Sequence, residues 1–213
     1  MNLWDQQLAL GVAAFITGSI PFAYLIGRLA GVDIRKQGSG NPGASNVFRV
    51  VGPVAGIGVF LLDMAKSAAP LLLSRVIFDL TPEWRAYYEI ILGLVAIVGH
   101  VYSPFLKGRG GKGVASLIGV VAVLFPLGLL AGAISGLSVI LIFRYFSLGS
   151  LVGVAVMPVT YFVIKDQPWH GKNLPLMYLL IIATVLTFVR HTDNIKRLWR
   201  GEEHKLRGVH KSQ

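Results

Sequence analysis

The chain has 213 residues, of which 54% are hydrophobic and only 14% charged, with no cysteine and a formal net charge of +10. A mean hydropathy of +0.65 lies outside the range of ordinary soluble domains and points to an integral membrane protein. Without cysteine there are no disulfides, thiolate metal ligands or thiol nucleophiles.

Apolar segments fall in chain order at 6–28, 53–77, 86–106, 113–130, 131–148, 149–165 and 174–190. Backbone polar groups in hydrocarbon must be paired internally, and runs of this length without alternating polarity fit helices rather than barrel strands. The expectation is an all-α polytopic bundle of about seven transmembrane helices, forming a single domain over 1–213. The first segment is too long for a signal-peptide core and lacks a small-residue cleavage site, so it reads as a mature span. The divisions within 113–165 rest only on Phe125-Pro126-Leu127-Gly128 and Arg144-Tyr145-Phe146-Ser147, and five or six spans also fit. Asp63 and Lys66, three apart in the second span, read as a mutual pair.

Under the seven-span division fifteen cations fall on one side of the membrane: Arg28, Arg35, Lys36, Arg49, Lys107, Arg109, Lys112, Arg144, Arg190, Lys196, Arg197, Arg200, Lys205, Arg207 and Lys211. Only Arg75, Arg85, Lys165 and Lys172 fall on the other. Short cytoplasmic loops carry the Lys and Arg excess, so the amino terminus is expected outside and the carboxyl terminus in the cytoplasm. The positive charge is then a layer against an anionic leaflet, and no nucleic-acid partner is implied.

Three segments on that basic face carry more than charge. "GSGNPGASNVFR" (38–49) follows the first span, "KGRGGKGVAS" (107–116) the third, and "RHTDNIKRLWRGEEHK" (190–205) the seventh. A loop serving only orientation would need no glycine. Glycine lets backbone N–H groups converge on an oxyanion, and a helix starting near Gly113 would add its positive end. Phosphate is the natural ligand, with Arg49, Lys107, Arg109, Lys112 and Arg190 as cations and Gly110, Gly111 and Gly113 as amide donors. The GxxxxGK[ST] spacing of nucleotide-binding loops is absent. On the residues alone, Ser39 and Asn41 are also consistent with a capped turn, His100 with a core histidine bonded to a backbone carbonyl, and 190–201 with an amphipathic interfacial helix ending near Gly201.

Together the three segments, with "GHVYSP" leading the second and "LLDMAK" in the second span, resemble the three cytoplasmic motifs of the bacterial acyl-phosphate:glycerol-3-phosphate acyltransferase family, the PlsY type. The resemblance covers nearly the whole chain. It implies transfer of a fatty acyl group from acyl phosphate to the sn-1 hydroxyl of glycerol 3-phosphate, giving lysophosphatidic acid and phosphate. It implies no metal, nucleotide or other cofactor, membrane lipid as surroundings, no obligatory protein partner, and a site on the cytoplasmic face of the bacterial inner membrane. By resemblance Ser39, Asn41 and Arg49 become site residues, Ser39 orienting rather than attacking because no activating base lies nearby. His191 and Asn194 join Ser39 and Lys112 in the catalytic group, His191 bonding the acceptor hydroxyl or serving as base. Arg109 stands where the family pattern more often has another residue of the glycine motif.

Ser147 and Ser150, after Arg144, are further candidate phosphate donors, and Glu202 is expected to pair with a nearby cation. The polar groups sit on one face, whereas an alternating-access carrier would place them near the midplane. A lipid-binding scaffold is the non-catalytic alternative, and conversion of acyl phosphate and glycerol 3-phosphate by the purified protein discriminates it. No histidine has an acid five positions on: His100 leads to Phe105, His170 to Pro175, His191 to Lys196, His204 to Val209, and His210 runs out of chain. The H(X)4D arrangement common among thioester-using acyltransferases is therefore missing.

Overall fold

The computed structural model describes residues 2–206; Arg207, His210 and Lys211, counted above, lie outside them. The regular structure of the described residues is helical. The first apolar segment is one span in two pieces, α1 (Leu3–Ser19) and α2 (Phe22–Leu29). Asn2 caps α1, its side chain accepting the Asp5 N–H at 2.9 Å while the Asp5 carboxylate accepts the Asn2 N–H at 3.2 Å. The pieces part at Pro21, which has no N–H to continue a helix. Side chains take the carbonyls at the break: Ser103 Oγ donates to Ser19 at 2.6 Å and Lys66 Nζ to Ile20 at 2.7 Å.

A short α3 (Ala44–Val50) precedes α4 (Pro53–Ile77) and α5 (Pro82–Val101). Then follow α6 (Val114–Leu124), α7 (Pro126–Phe143), α8 (Phe146–Ile164), α9 (Leu174–Arg190) and α10 (Thr192–Trp199). Six stretches are long and apolar enough to cross a membrane: Leu3–Leu29, Pro53–Ile77, Pro82–Leu106, Pro126–Phe143, Phe146–Ile164 and Gly171–Arg190. This corrects the expectation of seven full spans. The segment 113–130 is divided at Pro126, which opens α7, and α6 is left with 11 residues. Those rise about 16 Å, against about 30 Å of hydrocarbon.

The short helix nevertheless joins the two ends of the bundle. Gly113, at its start, packs on Val101 and Ile97 near the end of α5. At its other end the Val123 carbonyl accepts from Arg75, late in α4, and Phe125 meets Tyr161, late in α8, edge to face at 5.1 Å.

Small residues let the helices approach closely. A β-carbon on Gly18 would stand 2.4 Å from the Ala96 carbonyl oxygen between α1 and α5, and one on Gly119 2.2 Å from the Met64 oxygen between α6 and α4. Two ion pairs join charges on the bundle helices. Lys66 meets Asp63 at 2.7 Å, as the sequence suggests, and Arg75 forks onto Glu89 at 2.7 and 2.8 Å.

Candidate active site

The three motif segments converge at one end of the bundle. In the first, the organiser is Asn46, a fully buried side chain on α3. Its Nδ2 donates to the carbonyls of Ile34 and Gln37, both at 2.9 Å, and its Oδ1 accepts the Ser39 N–H at 2.9 Å. Ser39 is thus held by its backbone. Arg49, at the end of α3, donates to the His204 carbonyl at 3.2 Å and lies over the Phe146 ring at 5.5 Å.

The second segment turns sharply after α5 through a single 3-10 turn (Pro104–Leu106). Lys107 sits in the left-handed region at φ 54° and is exposed. The Gly110 N–H donates to the Val101 carbonyl at 3.0 Å and the Gly111 N–H to the His100 carbonyl at 3.2 Å. These two amides, expected to be open to phosphate, are committed to the end of α5. Gly113, at φ 88°, opens α6 as anticipated. Gly113 and the first helical residues, Val114 and Ala115, line the same cavity as Lys112, at the helix end whose first-turn N–H groups have no intrahelical partner.

In the third segment His191 ends α9 and precedes α10. Its Nδ1 lies 2.8 Å from the Thr187 carbonyl oxygen; a carbonyl can only accept, so the proton sits on Nδ1 and Nε2 carries the free lone pair. Past α10, Gly201 at φ 70° turns the chain back, and Glu203 becomes buried. Its carboxylate accepts from Asn194 Nδ2 at 2.8 Å and Arg197 Nε at 2.9 Å. Lys112 Nζ donates to Asn194 Oδ1, joining the second and third segments. The residue paired with a cation is therefore Glu203; Glu202 is exposed.

A cavity of about 540 Å³ opens beside this cluster. Its polar mouth contains Asn41, Ser45, Lys112, Gly113, Ser150 and His191, and it continues as an apolar slot between α4, α6, α7 and α8. Arg49 and Asn194 sit behind the mouth, bonded to the tail and to Lys112. Lys107 stands apart in solvent because the turn points it outward. Arg190 does not line the cavity; its Nη2 donates to the Gly110 carbonyl at 3.4 Å and its guanidinium lies over Tyr102. Ser147 Oγ is buried without a hydrogen-bond partner and, like Ser39, Gly110 and Gly111, lies off the cavity wall. Sequence reasoning missed Ser45, Asn46 and Glu203.

Burial, only partly offset by Glu203, lowers the Lys112 ammonium to a pKa of about 8. Burial, reinforced by the nearby Lys112 charge, lowers His191 to about 4, so the ring is neutral at pH 7. Arg49 is also lowered by burial. The arrangement offers a cation, helix-end amides and a neutral imidazole acceptor at the mouth of an apolar slot, suited to an anion attached to something greasy.

A family profile described as glycerol-3-phosphate acyltransferase matches residues 8–201. A glycerol-3-phosphate acyltransferase of Anaeromyxobacter sp. (strain Fw109-5) is 42% identical over 201 residues, covering 94% of this chain and 96% of the relative. One from Geobacter sulfurreducens is 38% identical, covering 95% and 98%. Among solved structures, crystal structures of PlsY (YgiH), an integral membrane glycerol 3-phosphate acyltransferase, match with 34% identity, covering 95% of this chain and 96% of theirs. TM-scores are 0.85 for the glycerol 3-phosphate form and 0.82 for the lysophosphatidic acid form. The chain is thus an all-helical, multi-pass integral membrane protein and belongs to the PlsY family of glycerol-3-phosphate acyltransferases.

Proposed function

We propose that this acyltransferase takes its acyl group from an acyl phosphate and delivers it to the sn-1 hydroxyl of glycerol 3-phosphate, giving lysophosphatidic acid and inorganic phosphate. The observation that carries this reading is the cavity itself, with a compact cationic mouth at Lys112 and an apolar slot behind it. A phosphate group suits such a mouth, and a fatty chain suits the slot. The relatives crystallised with glycerol 3-phosphate and with lysophosphatidic acid support the acceptor and the product.

An acyl phosphate is an activated mixed anhydride, so the work left to the protein is to place two anions together and offset their repulsion. The acceptor oxygen attacks the acyl carbon, the bond from that carbon to the phosphate oxygen breaks, and phosphate departs with the electron pair. His191, with its pKa near 4, holds a hydroxyl through Nε2 but is a weak base. The departing phosphate, which leaves with one more negative charge and is far more basic than this imidazole, is the better final acceptor of the hydroxyl proton and ends as hydrogen phosphate. Lys112, Asn41, Gly113 and Ser150 bind at the mouth, with Arg49 and Asn194 supporting Lys112 and the tail. Of the other expected site residues, Ser39, Lys107, Gly110 and Gly111 belong to the loops around the mouth, Arg190 at the end of α9 holds the Gly110 carbonyl, and Ser147 on α8 stays a candidate phosphate donor.

The whole chain acts as one domain in the bacterial inner membrane, with the amino terminus outside and the site at the cytoplasmic face, where water-borne glycerol 3-phosphate arrives. Both the fifteen-to-four cation asymmetry and the grouping of the motifs at one bundle end support that orientation. The test is to incubate purified enzyme and glycerol 3-phosphate with acyl phosphate or acyl-coenzyme A and measure lysophosphatidic acid. Acyl phosphate is expected to be the donor; efficient use of the thioester alone refutes it.

A further inference from the structure

Beneath the glycine loop lies a buried polar group that the chemistry above does not use. Asp63 on α4 and His100 in the last turn of α5 are 2% and 7% exposed. Asp63 Oδ1 lies 2.7 Å from Lys66 Nζ and 3.7 Å from His100 Nδ1. Lys66 in turn donates to the Ile20 carbonyl at the break between α1 and α2. The carboxylate is thereby tied to two spans and faces one edge of the imidazole.

The opposite edge of that ring is occupied by the loop. A β-carbon on Gly111 would stand 2.2 Å from His100 Nε2, and one on Gly110 2.0 Å from the His100 carbonyl oxygen. The same two glycines donate their amides to the His100 and Val101 carbonyls, while Arg190 holds the Gly110 carbonyl from the α9 side. Residues 110 and 111 are therefore clamped from three directions, and Lys112 comes next. The space among these groups is a cavity of about 10 Å³. That holds at most about one water, so it is no second ligand site.

We propose that Asp63 and His100 are positioning residues for acyl transfer, setting where the Gly110–Gly111 crossing runs and so where Lys112 presents its ammonium. The inference rests on the reading of Lys112 as a phosphate-binding group. Asp63 and His100 also reach the wall of the large cavity. Direct contact with substrate is therefore the competing role, and a double-mutant cycle separates the two.

The experiment uses purified full-length enzyme with the donor it turns over, reading kcat, KM for glycerol 3-phosphate, and thermal unfolding. The first arm is Lys112→Ala. If KM and kcat stay unchanged, the reading of Lys112 fails and the positioning role falls with it. With that arm positive, His100→Ala is expected to raise KM or lower kcat about tenfold or more, the scale on which small misplacements act. In the Lys112→Ala background the same change should alter them less than about twofold. A parallel cycle pairs His100→Ala with Gly111→Ala: the glycine change should impair the wild-type enzyme and add little once the ring is gone. If His100→Ala does not fold, His100→Asn and Asp63→Asn run the same cycles. Fully multiplicative effects indicate an independent role and overturn the proposal. So does a fall in unfolding temperature with unchanged KM and kcat.

Discussion

The Lys112 ammonium donates to the Asn194 side-chain oxygen across 82 residues of sequence, binding the glycine loop to α10. Asn194 is held on its other side by Glu203, so loop, helix and tail form one hydrogen-bonded unit. The unit places a half-buried cation beside the cavity, with the Glu203 carboxylate engaged by Asn194 and Arg197.

That environment gives the enzyme an alkaline limit. Lys112 must be cationic to hold phosphate, and its pKa in the ligand-free protein is about 8 rather than 10.5. KM for glycerol 3-phosphate should therefore rise as pH passes through about 8, and Lys112→Arg should remove that limb because a guanidinium stays charged. Stability runs the other way. Between about pH 8 and 10.5 the unfolded chain binds more protons than the folded one, so this group makes unfolding less favourable as pH rises. A KM that is flat from pH 7 to 10 would contradict the assignment.

Removing the Glu203 carboxylate should leave Asn194 Nδ2 and Arg197 with lost partners. Glu203→Ala is expected to lower stability by about 1–3 kcal/mol, the range for unpairing a buried hydrogen-bonding group. It should also raise KM for glycerol 3-phosphate, since Asn194 no longer fixes Lys112. Glu202→Ala, an exposed neighbour, should do neither. Thermal unfolding and steady-state kinetics on the pair decide it, and equal behaviour of the two variants would reject the role given to Glu203.

The helices were legible because long apolar runs leave few alternatives, but 113–165 offers almost continuous apolar text. Its true division depends on Pro126 opening a helix rather than interrupting one. The charge pair of Asp63 and Lys66, the helix start after Gly113 and the turn at Gly201 were readable from spacing. Glu203 was not, because it and Glu202 are chemically identical neighbours and only the left-handed turn at Gly201 selects which is carried inward. Gly110 and Gly111 look like a phosphate cradle in sequence. Which carbonyl takes each amide depends on the path of α5, which no local pattern records.

Orientation is tested by chemistry the chain itself lacks. With no native cysteine, single cysteines at Gln37, Arg109, Lys205 and Lys172, all exposed, report sidedness without background. An impermeant thiol reagent outside intact cells should label only the Lys172 variant. Labelling of the other three with Lys172 protected would invert the topology.

His191 separates an orienting acceptor from a general base. Its Nδ1 proton is engaged by Thr187, leaving Nε2 as an acceptor, and its pKa of about 4 keeps it in that form throughout the neutral range. In the wild-type enzyme the imidazole should add no kcat limb near 6.5 and should add one only as pH drops through about 4, whereas a limb from substrate phosphate, whose second pKa is about 6, should be shared by the His191→Asn variant. The folded pKa lies below the ordinary 6.5, so the unfolded chain binds more protons between about 4 and 6.5, and the group makes the fold less stable as pH falls through that window. His191→Ala should reduce turnover on the order of 10²-fold, in the range for loss of a positioned proton-handling group. His191→Asn, whose side chain can still offer an oxygen acceptor but has no titrating base, should recover part of that loss. Equal turnover by the Ala and Asn variants, together with a wild-type kcat limb near 6.5 that both variants lose, would instead make the imidazole the proton acceptor in the transfer step.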